Sequence, residues 1–169
     1  MPDPGGDAET PAPNSRPLRR TPCVGVCSTT YGDLVCRGCK RYAHEIVEWN
    51  GYSDDQRERV WHRLNSLLTA SVRAHLKVVD EGKLRAVATR LKVLNADALP
   101  AEVLAFRTLR ARSIPLESLG LQPREGALKR EGALKRVDAL SALDAARAVD
   151  AEFYVRSRAH YEASFKTLT

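Results

Sequence analysis

Apolar residues recur at the helical period of 3.6 along most of the chain after residue 53. Val60, Trp61, Leu64, Leu67, Leu68, Val72 and Leu76 form one continuous stripe, which predicts a helix running to about Lys77. Ser53 suits its N-cap, Gln56 three residues on completes a capping box, and Asp54 and Asp55 suit the electropositive first turn. A second stripe, Leu84, Val87, Ala88, Leu91 and Leu94, predicts a helix capped by Asp80. Pro100 fits the first turn of a third, bearing Val103, Phe106 and Leu109. The link over 113–123 is broken by Pro115, Gly120 and Pro123. The last helices are expected over about 129–149 and 151–166, the final one with an aromatic stripe of Phe153, Tyr154, Tyr161 and Phe165.

The first half of the chain reads differently. Residues 1–20 are rich in Pro and Gly with almost no large apolar side chain, the composition of a disordered tail. From Thr21 to about Tyr52 the pattern is set by Cys and Gly, with one short helix after Cys39 implied by Ala43, Ile46 and Val47. Period-two alternation nowhere persists, so at most Leu34 and Val35 belong to a tiny hairpin. The expected fold is mainly α: a tail over 1–20, a cysteine module with its long helix over 21–77, and a bundle-like helical extension over 78–169.

One internal repeat interrupts the extension, because EGALKR at 125–130 is copied at 131–136. Six residues turn a helix through about 600°, so Leu128 and Leu134 point about 120° apart. Such a copy looks like a small insertion at a tolerant helix start and implies no function.

Charge adds little until it is divided. The net +6 of the 169 residues comes entirely from positions 71–169, which carry 18 basic and 12 acidic side chains. It is diffuse, with no block of like charge, so a solvated helical surface explains it better than a nucleic-acid patch. No run approaches the roughly 18 apolar residues of a membrane-spanning helix, and no secretory leader opens the chain. A cytoplasmic location is expected. Phosphate loops, nucleophile elbows and paired-histidine metalloprotease motifs are absent from the sequence.

The four cysteines change the picture. All lie between Cys23 and Cys39, in the spacing C-x3-C-x8-C-x2-C, whereas a disulfide framework would spread them to staple distant segments. A Cys-x2-Cys pair around a Gly turn presents two thiolates to one metal. The intervening Tyr31-Gly32-Asp33 stretch allows the chain to return and bring Cys23 and Cys27 to Cys36 and Cys39. Four thiolates would hold Zn2+, a single iron or an iron–sulfur cluster, and the spacing leaves these open. A dithiol redox pair at Cys36 and Cys39, activated by Arg37, Lys40 and Arg41, is an alternative. His44 reads as a surface histidine rather than a ligand, and His62, His75 and His160 have no obvious partner. Glu45 and Glu48 read as solvated helix charges. Trp49 and Trp61 are expected to join the cysteine module to the long helix, with Trp49 closing over the thiols.

The segment TPCVGVCSTTYGDLVCRGCKRYAHEIVEWNGYSDDQRERVWHRL, over about 21–65, resembles the bacterial family of domain of unknown function 1289. The resemblance rests on Pro22-Cys23, Gly25, Cys27, Cys36, Gly38, Cys39, Arg41, Glu45-Ile46, Trp49 and Ser53 with its acidic helix start. Members are often labelled iron–sulfur proteins, which implies such a cluster here, and longer members carry a comparable helical extension. The expected function is a metal-binding accessory module with metal ligands Cys23, Cys27, Cys36 and Cys39, and a protein partner or second copy met by the extension. An electron-transfer protein and a zinc-knuckle nucleic-acid binder are the alternatives.

Overall fold

The computed structural model describes residues 21–112, 114–124 and 142–166. The tail over 1–20, the hexamer repeat and the 129–141 part of an expected helix lie outside the described residues. Among those described, the chain forms five α-helices and one two-stranded sheet.

Ser53 caps the longest early helix as its sequence requires. Its hydroxyl accepts the Gln56 N–H at 3.3 Å, while the Gln56 side chain accepts the Ser53 N–H at 2.8 Å. With the short helix α1 (Ala43–Val47) before it, this helix is α2 (Asp54–His75). Val60, Leu64, Leu68 and Val72 bury its stripe; Trp61 and Leu67 pack partly buried beside them. α3 (Glu81–Arg90) begins at Asp80, whose carboxylate accepts the Lys83 N–H at 2.8 Å. α4 (Ala101–Ala111) follows Pro100 and buries Val103, Phe106 and Leu109. Leu94, expected to continue the α3 stripe, is instead exposed. Lys92 and Asn95 both adopt left-handed backbone there and swing the chain off the helical path.

Two further expectations are corrected. The chain from 142 to 165 is one unbroken helix, α5 (Ala142–Phe165), not two meeting near 150. Neither Gly nor Pro stands at the expected junction to stop it. The link over 113–123 also supplies a strand. β1 (Leu76–Val78) continues directly from α2 and pairs antiparallel with β2 (Leu121–Pro123), Lys77 opposite Gln122. Leu76 and Leu121 point into the core and Lys77 and Gln122 into solvent, so three residues alternate as a half-buried strand should. α2 therefore ends at His75 rather than Lys77.

α4 and α5 both pack on α2, and α3 packs on α4. A single cluster of buried apolar side chains runs from Trp49 through Val72, Leu104 and Leu121 to Val149 and Phe153. Each fully buried Leu or Val contributes roughly 1.5–3 kcal/mol.

Candidate metal centre

The cysteine module is held by turns rather than by a core of its own. Val35 and Tyr42 form an antiparallel bridge, the tiny hairpin expected around Leu34 and Val35. Within it the Lys40 N–H donates to the Cys36 carbonyl at 2.8 Å and the Cys36 N–H to the Arg41 carbonyl at 2.9 Å. Lys40 takes a φ of 61°, the left-handed conformation that closes the Cys36–Cys39 turn. Gly38 allows the next step of assembly. A Cβ there would stand 2.6 Å from the Val26 carbonyl oxygen and 2.8 Å from the Val24 side chain. The Cys23–Cys27 loop thus lies directly on the Cys36–Cys39 turn.

The four thiols are not equivalent. Cys36 and Cys39 are buried, Cys27 is half-buried and Cys23 is exposed. The Cys36 Sγ points at the Val26 carbonyl at 3.6 Å, across the junction of the two loops. Cys27 Sγ lies 2.9 Å from Thr29 Oγ1, and Cys23 Sγ accepts the Gly25 N–H at 3.4 Å. Among the described residues, no three Cys, His, Asp or Glu side chains converge closely enough to hold a metal ion. The fold brings Cys36 and Cys39 together and lays the other pair's backbone against them, while the Cys23 and Cys27 sulfurs engage their own loop.

Burial acts to push both inner thiols up, but only one yields. Cys39 is held above its ordinary value by that burial, despite the Arg41 Nε donating to its sulfur at 3.5 Å. At Cys36 the burial is outweighed by hydrogen bonds from the main chain of Cys39, Ser28 and Gly38 and from the Cys39 side chain, which lower the thiol to about 7. The sequence suggested three cationic side chains for this task. Arg37 turns instead to Asp33 at 2.9 Å and Lys40 to Asp150 at 2.5 Å, leaving Arg41 alone on a thiol. Main-chain donors aimed at a sulfur are the arrangement that supports a thiolate ligand.

Residues 21–67 match the DUF1289 family, described as a protein of unknown function. No curated protein and no solved structure matches the chain. The resemblance read from the sequence over about 21–65 is thereby borne out, with a limit that falls inside α2.

The DUF1289 segment is clamped to its surroundings by charges whose roles the sequence concealed. Glu45, expected in solvent, is buried and receives Arg63 bidentately at 2.6 and 2.8 Å. The same carboxylate accepts the Tyr42 N–H at 2.9 Å and so caps α1. The Arg63 guanidinium lies 3.7 Å from the centre of the Tyr42 ring. The Tyr42 hydroxyl meets His160 Nδ1 at 2.6 Å, giving His160 the partner the sequence did not reveal. His44 joins the same aromatic group, its ring 5.3 Å from Phe165, and not the thiols. Three contacts, Lys40 with Asp150, Tyr42 with His160 and His44 with Phe165, tie the segment to α5, beyond the matched residues.

Trp49 is buried, joining module to helix as expected, but it meets the thiols by relay. Arg41 stands 4.7 Å over its ring and passes the contact to Cys39. Arg57 on α2 donates to the Trp49 carbonyl at 3.3 Å and fixes the other side of the joint. Among the described residues no helix is long and apolar enough to cross a membrane.

Proposed function

We propose that the DUF1289 segment holds one metal centre through Cys23, Cys27, Cys36 and Cys39, and that the chain acts in the cytoplasm as a binding or accessory module rather than an enzyme. The seat of the Cys23–Cys27 loop on Gly38 carries this reading, because it makes neighbours of two cysteine pairs separated in sequence. Cys36 and Cys39 form the fixed half of the site, with main-chain donors already on one sulfur. Cys23 and Cys27, the more exposed pair, complete the donor set when their side chains turn inward from their own loop. Four thiolates suit an iron–sulfur cluster, which would supply a one-electron centre, or Zn2+, which would cross-link the two loops. α3, α4 and α5 act as the support of this module and the surface for a protein partner or second copy.

A second reading is favoured by the burial of Cys36 and Cys39 on one tight turn: the pair, or a cluster on it, passes electrons.

The test is the metal and sulfide content of full-length protein purified without oxygen, with each cysteine replaced in turn by Ser. One centre per chain is expected, with most metal lost in every single variant. Full metal in Cys23→Ser or Cys27→Ser overturns the four-ligand site. Metal-free protein that still cycles between dithiol and disulfide at Cys36 and Cys39 favours the second reading.

A further inference from the structure

We infer that the cleft between α2, α4 and α5, beside the cysteine turn, takes a small molecule carrying a carboxylate or phosphate on an apolar body, with the Arg107 guanidinium as its anchor. The cleft has a volume of about 330 Å3 and joins one of about 860 Å3 along a wall that contains Trp61, Asn65 and Arg107. Volumes of this order are those of small-ligand sites.

Arg107 is the anomaly that points to a ligand. Other arginines withdrawn from solvent have an opposite charge or ring beside them: Arg63 has Glu45 and Tyr42, although its Nε is left without a partner, Arg85 has Glu81, and Arg41 has Cys39 and Trp49. Arg107 is half-buried, yet among the described residues it makes no hydrogen bond, ion pair or ring contact. Burial depresses its pKa, and among the described residues no carboxylate pairs with it to offset that cost. A guanidinium left in this state is a preformed fork for two oxygens of one anion.

The surroundings set the rest of the ligand. Arg110, on the same wall of α4, adds a second positive charge. Asp150 is the acid lining this cleft and is held by Lys40. Glu58 and Glu102 face the adjoining cleft, and Glu102 is paired with Arg73 at 2.7 Å. Leu64, Leu68, Val103, Phe106 and Phe153 form the apolar floor, which a bare inorganic anion would leave uncovered. Cys39 lines the same cleft, but no cysteine sulfur is needed to hold the anion, so loss of metal and loss of anion binding are read separately.

The full-length protein, with whatever metal it carries, is titrated with octanoate, octyl phosphate, 1-octanol and inorganic phosphate while the Trp61 indole resonance is followed by NMR. Octanoate or octyl phosphate is expected to saturate at least tenfold more tightly than octanol and inorganic phosphate, and the tighter of the two identifies the headgroup. Arg107→Met should weaken that binding roughly tenfold to hundredfold, the loss of a charged hydrogen-bonding partner. Arg107→Lys should restore part of it, and Arg112→Met, outside this cleft, should leave it unchanged. Equal binding of octanol, unaltered binding in Arg107→Met, or no saturation by either charged probe would overturn the assignment. If Arg107→Met does not fold, the comparison of charged and neutral probes on the native chain decides alone.

Discussion

Replacing Arg63 by Met tests whether the cysteine module is held to α2 by charge. Side-chain exposure is 6% for Glu45 and 14% for Arg63, so neither charge is well solvated. Removing the guanidinium leaves a buried carboxylate whose remaining hydrogen-bond partner among the described residues is the Tyr42 N–H. It also removes the cation stacked on Tyr42. Breaking a buried pair in this way costs about 3–5 kcal/mol. For a chain of this length each kcal/mol lowers Tm by about 2–4 °C, so a fall of about 6–20 °C is expected by circular dichroism. Glu45→Gln should cost less, about 1.5–3 kcal/mol, because the amide still accepts the Tyr42 N–H. The double variant should be more stable than the sum of the single losses implies, since neither leaves the other's charge stranded. A Tm for Arg63→Met within about 1 °C of the native value would refute the argument and return Glu45 to the status of a solvated helix charge.

Gly38→Ala should lift the Cys23–Cys27 loop from the turn, destabilising by about 1–3 kcal/mol and lowering metal uptake, both measured on anaerobically purified protein. Gly120→Ala should cost more than about 2 kcal/mol in denaturant unfolding, because φ is 66° there and the added Cβ would overlap the Asp80 main chain. In metal-free protein, thiolate absorbance should show one group titrating near pH 7 that disappears in Cys36→Ser. Its folded pKa lies below the ordinary thiol value of 9.0, so its contribution to stability is full above about pH 9 and is lost as pH falls through about 7. The raised pKa of Cys39 acts oppositely, removing stability as pH rises beyond 9.0, so the combined contribution of the two thiols to unfolding free energy should peak near pH 9.

The helices whose signals are local were legible. Ser53 with Gln56 and the stripe from Val60 to Val72 define α2 within themselves, and Asp80 and Pro100 open α3 and α4 where expected. The cysteine pairs were equally plain as a pattern, and Leu34 and Val35 gave a trace of the hairpin that carries the second pair. The short α1 was found for a partly mistaken reason. Val47, one of the apolar residues that suggested it, is exposed, and the side chain it buries is Glu45.

By itself the sequence determined the period of the helices, their caps and the spacing of four thiols, because each depends on residues within a few positions of one another. Only the tertiary structure decided that Glu45 is buried, that Tyr42 meets His160, that Lys40 meets Asp150 and that Leu76 to Val78 finds Leu121 to Pro123. Each of these joins distant segments, and three-residue strands alternate too briefly to announce themselves. It also decided which thiols sit inside. Cys36 and Cys39 occupy identical chemical roles in the motif, yet the surrounding main chain lowers one and burial raises the other. The same holds for Arg107, ordinary in sequence and unusual only because α2 and α4 half-bury its charge while, among the described residues, no carboxylate pairs with it.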